Sequence, residues 1–220
     1  YGDHRDLHLS LRRQRQMCIR DRRNYGETVP GPTASPTPSL TAVSSLTPSP
    51  TPTLSATPSS TPQYVQLIVN PSFETDEAWH IVDDLQPLYR AQRSRSRAHS
   101  GVYAMRLGSD TGFSLESWSA VEQTVDIPAG ATSAQLSFYY FPISAYADGD
   151  LIYFWVLRAS DGAELFAEHW LDRNQDWNLR SYDLLDYAGQ QVKLRFGVYN
   201  DGLDGVTAVY LDDVELRVGE

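Results

Sequence analysis

The stretch TAVYLDDVELRV, residues 207–218, alternates apolar and mixed side chains, the pattern of a strand with one buried face. Counted by twos, Val206, Ala208, Tyr210, Val214, Leu216 and Val218 form an apolar set. Thr207, Val209, Leu211, Glu215 and Arg217 form the other. Asp213 joins the mixed set and can sit in water. Asp212 joins the apolar set, where an unpaired carboxylate would cost on the order of several kcal/mol. Either this strand is frayed at its end, or something positive waits for Asp212.

The rest of the chain repeats the pattern. From residue 64 onward, YVQLIVN (64–70), GVYAMRL (101–107), AVEQTVDI (120–127), AQLSFYYF (134–141) and LIYFWVL (151–157) all read as strands. ELFAEHW (164–170), LRSYDLL (179–185) and QVKLRFGVY (191–199) continue the series up to 207–218. The turn-forming stretches PAG, ADGD, ASDGA, YAGQ and NDGLDG lie between them. No long amphipathic helix interrupts the run. Nine strands in this length predict an all-β fold, an antiparallel β-sandwich of the jelly-roll type.

Composition sets the limits of that domain. Residues 29–62 hold nine of the 13 prolines and no charged residue, so this Pro/Thr/Ser tract reads as a disordered, extended linker. The globular unit is then 63–220. It carries 11 Lys and Arg against 24 Asp and Glu, a net of −13, whereas 1–28 carries a net of +3. So acidic a domain is a poor partner for nucleic acid or an anionic membrane surface. The single cysteine, Cys18, lies outside it, which leaves the domain no thiol chemistry, disulfide or cysteine-ligated metal. No apolar run is long enough for a membrane-spanning helix. The isolated domain is expected to be a monomer.

Residues 1–28 show neither strand nor helix periodicity and no apolar signal region. Within them, QMCIRDR (16–22) resembles a conceptual translation of the transposon end used in sequencing libraries. The expectation is an artefactual or disordered segment, with a secretion signal or anchor lost upstream.

Several stretches also resemble a known group of domains. NPSFE (70–74), HSGVYAMRL (99–107), VDIPAGATSAQLSFYY (125–140) and the run from WNLRSYDLL through YLDDVEL (177–216) are similar to the galactose-binding-like jelly rolls. That group includes bacterial carbohydrate-binding modules, and the MAM-type adhesion domains look similar. The resemblance implies a non-catalytic extracellular module that binds a polysaccharide, or alternatively a MAM-like adhesion or protein-interaction domain. In the carbohydrate-binding relatives, the glutamate after N-x-x-F and an aspartate of D-D-V hold a structural calcium ion. The matching positions are Glu74 and Asp212 or Asp213, and the alternation argument chooses Asp212. By the same resemblance, backbone carbonyls near Ser72 and at His99 and Ser100 would complete the shell. The competing reading pairs Asp212 with Arg97 or Arg106, or with backbone N–H groups. NDGLDG (200–205) could hold a cation through Asp201 and Asp204, although it also reads as a plain turn.

Three strands offer a candidate ligand face. If Ile152, Phe154 and Val156, Leu136, Phe138 and Tyr140, and Val192, Leu194, Phe196 and Val198 fill the core, their alternates point outward. Were the strands neighbours, Tyr139, Tyr153, Trp155, Arg195 and Tyr199 would share one face. Aromatic rings stack on sugar rings, and planar polar groups bind hydroxyls, so such a face suits a glycan. A covering loop would instead make it a minor core. Trp79, Trp118, Trp170 and Trp177 read as packing residues, and His80, His99 and His169 as surface or turn residues. Neither G-x-S-x-G nor H-E-x-x-H occurs, and no carboxylate pair stands in a recognisable acid–base context, so no enzyme is expected.

Overall fold

The computed structural model describes residues 64–82, 89–113, 115–144, 149–203 and 205–219. The segment 1–28, the linker 29–62 and Asp204 lie outside the described residues. The described residues form eleven strands: β1 (Tyr64–Gln66), β2 (His80–Ile81), β3 (Gln92–Ser94), β4 (Ala104–Gly108), β5 (Glu116–Asp126) and β6 (Ser133–Ser144), then β7 (Leu151–Arg158), β8 (Glu164–Trp170), β9 (Asn178–Asp183), β10 (Gln191–Asp201) and β11 (Thr207–Gly219). One sheet runs β3-β4-β11-β6-β9, with β1 also paired to β11, and the other runs β2-β5-β10-β7-β8. Every pairing is antiparallel. This is the β-sandwich of jelly-roll type that the alternation predicts. The chain changes sheet at every step from β1 to β11 except β3 to β4 and β7 to β8.

The core lies between the two inner faces. Leu136, Phe138 and Tyr140 of β6 meet Ile152, Phe154 and Val156 of β7 and Val192, Leu194, Phe196 and Val198 of β10. These inward sets are the ones expected. Phe196 packs edge-on to Phe138 at 4.9 Å and stacks on Phe154 at 5.0 Å between ring centres. Each such buried side chain contributes roughly 1.5–3 kcal/mol. Trp79 also belongs here: it packs against Phe196, and its indole N–H donates to the carbonyl of Asn70 at 2.9 Å.

Strand β11 departs from strict alternation. Asp212 pairs with Tyr139 but Glu215 pairs with Ser137, so β11 holds one extra residue between them. This is a β-bulge, and Asp213 adopts a left-handed φ of 45° within it. The bulge exchanges the two faces. Before it, Val209 and Leu211 enter the core; after it, Val214, Leu216 and Val218 do. Ala208 and Tyr210 are still buried, but Tyr210 packs with Ala104 and Phe141 in a separate cluster. Asp212 therefore does not share the face of Val214, as uninterrupted alternation implied. A slip of one residue moves a whole set of side chains to the other side.

Candidate functional site

The second sheet carries an aromatic cluster opposite its core face. Trp118 of β5 lies across from Tyr199 of β10, Ala120 across from Gly197, and Glu122 across from Arg195. On the other flank of β10, Gly197 faces Tyr153 and Arg195 faces Trp155, and Tyr153 in turn faces His169 of β8. Alternation thus presents Trp118, Tyr199, Tyr153 and Trp155 together. Their ring centres lie 4.4 Å apart for Trp118–Tyr199, 5.6 Å for Trp118–Tyr153 and 4.5 Å for Tyr153–Trp155.

The absence of a side chain at Gly197 allows this arrangement. A Cβ there would stand 2.1 Å from Tyr153 Cζ and 2.2 Å from its oxygen, so the phenol ring lies directly over the glycine. Tyr153 is 1% exposed and packs with Val82, Ala120, Trp118 and Trp155. It is the buried support of the cluster. Trp118 and Trp155 are only half-buried and form its accessible part. The Trp155 indole N–H donates to His169 Nε2 at 3.1 Å, which fixes that imidazole nitrogen as an acceptor. Burial holds the His169 pKa below its ordinary value, against the opposing charges of Glu164 and Glu168, so the ring is held neutral.

A charged group borders the rings. Arg195 Nε and Nη2 approach Glu122 Oε2 at 2.8 and 2.7 Å, and Lys193 Nζ lies 3.3 Å from Glu122 Oε1. Glu122 is buried, which is tolerable only because both cations neutralise it. Flat rings beside fixed donors and acceptors bind molecules that combine apolar faces with hydroxyl edges.

Tyr153, Trp155, Arg195 and Tyr199 therefore gather as expected, and Tyr139 does not. Tyr139 lies on β6, which pairs with β9 and β11 in the opposite sheet. Trp118, read from the sequence as a packing residue, belongs to the cluster instead. Strand β5 begins at Glu116, four residues before the AVEQTVDI reading, and Trp118 continues backward the parity of Ala120 and Glu122. His169, expected at the surface or in a turn, is a half-buried member of β8.

The residues singled out for a metal meet at a second locus. Asp212 is fully buried beneath the turn at 99–101. Its Oδ2 accepts the N–H groups of His99 at 2.7 Å and Ser100 at 3.1 Å, and Oδ1 accepts that of Asp213 at 2.8 Å. Glu74 Oε1 accepts the N–H groups of Val102 and Tyr103 from the same turn, at 2.8 and 2.9 Å. Gly101 has a φ of 60°, and a Cβ there would meet Glu74 Oε1 at 2.4 Å, so this turn suits glycine. The Asn70–Glu74 turn is tied in by the N–H of Val214, which donates to the carbonyl of Pro71 at 2.9 Å. Asp213 receives the His99 ring nitrogen Nδ1 and the Ser100 hydroxyl, both at 2.6 Å. His99 also stacks on Tyr139 at 3.6 Å, which is where that tyrosine is used.

What awaits Asp212 among the described residues is thus a set of backbone N–H groups, with no arginine. Arg97 lies over Phe141, and Arg106 pairs with Asp110. Burial nevertheless pushes the Asp212 carboxyl up to about 6, because the three N–H bonds offset only part of the lost hydration. Asp212 and Glu74, which both grip the 99–103 segment through its N–H groups, are the oxygen donors that a hard cation would use here. No three acidic, histidine or cysteine side chains converge there among the described residues, so carbonyl oxygens would have to complete any shell.

No family model matches the chain, and no curated protein matches it. Solved structures do. A family 61 carbohydrate-binding module, determined in complex with β-1,4-galactotriose, superposes with a TM-score of 0.50 at 18% identity, covering 69% of this chain and 97% of that one. The CBM22-1 xylan-binding domain of Paenibacillus barcinonensis Xyn10C gives 0.46 at 17% identity, covering 71% and 95%. A structure described as "CBM4 structure and function" gives 0.44 at 19% identity, covering 69% and 99%. The first of these likenesses shows a shared fold.

Proposed function

We propose that this domain is a non-catalytic carbohydrate-binding module that holds a polysaccharide against the outer face of the β2-β5-β10-β7-β8 sheet. The observation that carries the reading is the pair of half-buried indoles, Trp118 and Trp155, on a buried tyrosine support beside the Arg195–Glu122 pair. Indoles supply stacking area, and the pair supplies direction for hydroxyls. The related fold crystallised with a galactotriose supports the same reading. A stacking platform needs neither nucleophile nor acid–base pair, which accords with the missing catalytic motifs.

Two further parts belong to the proposal. A calcium ion at the second locus would be held by Glu74 and Asp212, with carbonyl oxygens of Ser72 and His99, and would supply the positive charge that Asp212 lacks. Display outside the cell, as a single copy on the Pro/Thr/Ser linker, suits a polysaccharide ligand. No helix among the described residues is long and apolar enough to cross a membrane.

Affinity electrophoresis of the full chain through gels containing β-1,4-galactan, xylan, mixed-linkage glucan or mannan tests the reading. Retardation by at least one polysaccharide is expected, abolished in Trp155→Ala and weakened in Trp118→Ala. Unretarded migration in all four gels would refute it and leave the adhesion-domain reading standing.

A further inference from the structure

At one end of β10, beyond Tyr199, acidic groups gather without a cationic partner among the described residues; Asp201 Oδ1 accepts the N–H of Leu203, at 2.9 Å. Asp201 lies directly across from Glu116 of β5, an arrangement that is unfavourable when both are ionised. On the opposite flank stands Gly149, where a Cβ would fall 1.6 Å from Asp201 Oδ2; the carboxylate occupies the space a side chain would take. Asp150 follows and is fully buried. Its Oδ1 accepts the Asp201 N–H at 2.8 Å, but no donor among the described residues reaches Oδ2. The Asp201 carboxylate lies beside that of Asp150, and the Thr207 hydroxyl also approaches Asp150. No ion pair among the described residues includes Asp150, Asp201 or Glu116.

We propose that Asp150 and Asp201 hold a divalent cation of the calcium type, in a site separate from that of Glu74 and Asp212. Two facing acceptors can coexist only if a proton or a cation lies between them. A cation is the better fit. Glu116 adds a third negative charge across the strand pair, Asp201 is partly exposed and gives access from water, and all the oxygen donors are hard. Among the described residues no cage of three acidic side chains closes on one point, so water and main-chain oxygens complete the shell. The site adjoins the aromatic face, because the Tyr199 hydroxyl contacts Glu116 Oε1 at 3.4 Å. A cation here would fix the Tyr199 end of that face.

Terbium is the probe, used on the full chain after chelator treatment. Tyr199 and Trp118 stand near enough to sensitise its emission when the protein is excited in the aromatic band. Sensitised emission is expected, with calcium in excess displacing it. Affinity should fall at least about tenfold in Asp201→Asn, because each carboxylate removed weakens such sites. Asp150→Asn should behave likewise if it folds, and Asp201→Asn, at a partly exposed position, carries the test if it does not. Asp212→Asn should leave this emission intact, since it alters only the other locus. The proposal is overturned if terbium binds Asp201→Asn as well as the parent, or if all sensitised emission disappears in Asp212→Asn. It is also overturned if neither terbium nor calcium binds; a gain in stability at neutral pH in Asp201→Asn would then assign the pair a shared proton.

Discussion

Replacing Gly197 with alanine tests whether the aromatic face depends on a bare stretch of backbone. The added Cβ would stand 2.1 Å from Tyr153 Cζ, 2.2 Å from Oη and 2.6 Å from Cε1. Ordinary contact between such atoms requires about 3.5–4.0 Å, so the ring must move by more than an ångström. It has nowhere to go. Trp155 lies 4.5 Å and Trp118 5.6 Å from its centre, and Tyr153 is 1% exposed. Overpacking of this kind costs roughly 1–3 kcal/mol. For a domain of this size that lowers Tm by roughly 2–12 °C, at about 2–4 °C per kcal/mol. Urea denaturation of the full chain, followed by tryptophan fluorescence, reads the cost directly. Retardation by the polysaccharide that binds the parent should weaken in parallel, because the displaced ring pushes on Trp155. Adding Tyr153→Ala to Gly197→Ala removes the clash, so the double variant should lose less than the two single losses combined, by roughly 0.5–3 kcal/mol. An unchanged urea midpoint in Gly197→Ala, or strict additivity in the double variant, would show that Tyr153 is not wedged over the glycine.

Other outcomes follow from the same geometry. Trp155→Ala should abolish glycan retardation with a smaller stability loss than Tyr153→Ala, since Trp155 is half-buried and Tyr153 wholly so; urea midpoints of the two variants decide this. His169 has a folded pKa below its unfolded value, so the unfolded chain binds the extra proton first and the associated stability is complete above about pH 6.5 and lost as pH falls below it. A His169→Gln variant should lack that component in a comparison of melts at pH 5 and pH 7.5. If Glu74 and Asp212 hold calcium, a chelator lowers the melting midpoint of the parent by more than that of Asp212→Asn, with roughly 2.7 kcal/mol at stake in the difference at a hundredfold excess of ion over Kd.

How far alternation could be trusted depended on each strand. In β6, β7 and β10 the expected inward sets are the observed ones, because no bulge interrupts the parity of those segments facing the core. In β11 it misled at Asp212, yet a trace of the bulge was present. Val209 and Leu211 are apolar while Glu215 and Arg217, two and three steps further in the same set, are charged; a face that changes character midway has changed sides. Strand order was a different matter. Nothing in AQLSFYYF says that it pairs with β11 rather than β7, since core-facing strands of both sheets look alike, and Tyr139 was assigned to the wrong sheet for that reason. The two short strands β2 and β3, of two and three residues, are too brief to show any period. The Asp150–Asp201 contact depends on Gly149 and Asp150, just ahead of β7, lying against the end of β10, and the spacing of these residues carries no hint of it.

The pairing of β1 with β11 has a mechanical consequence. Tyr64 lies opposite Gly219, Val65 opposite Val218 and Gln66 opposite Arg217, so the chain enters and leaves the sandwich at neighbouring points. Tension applied across those two points would not shear the sheet. It would open the β1–β11 ladder like a zip, loading one rung at a time, and all three β1 residues are exposed. Under pull the first strand would therefore peel away at low force and lengthen the tether. The buried β11–β6 ladder and the aromatic face on the far sheet would remain intact behind it. If the proposed polysaccharide binding holds, a polymer pulling on the domain against its N-terminal side would load this yielding strand before the core.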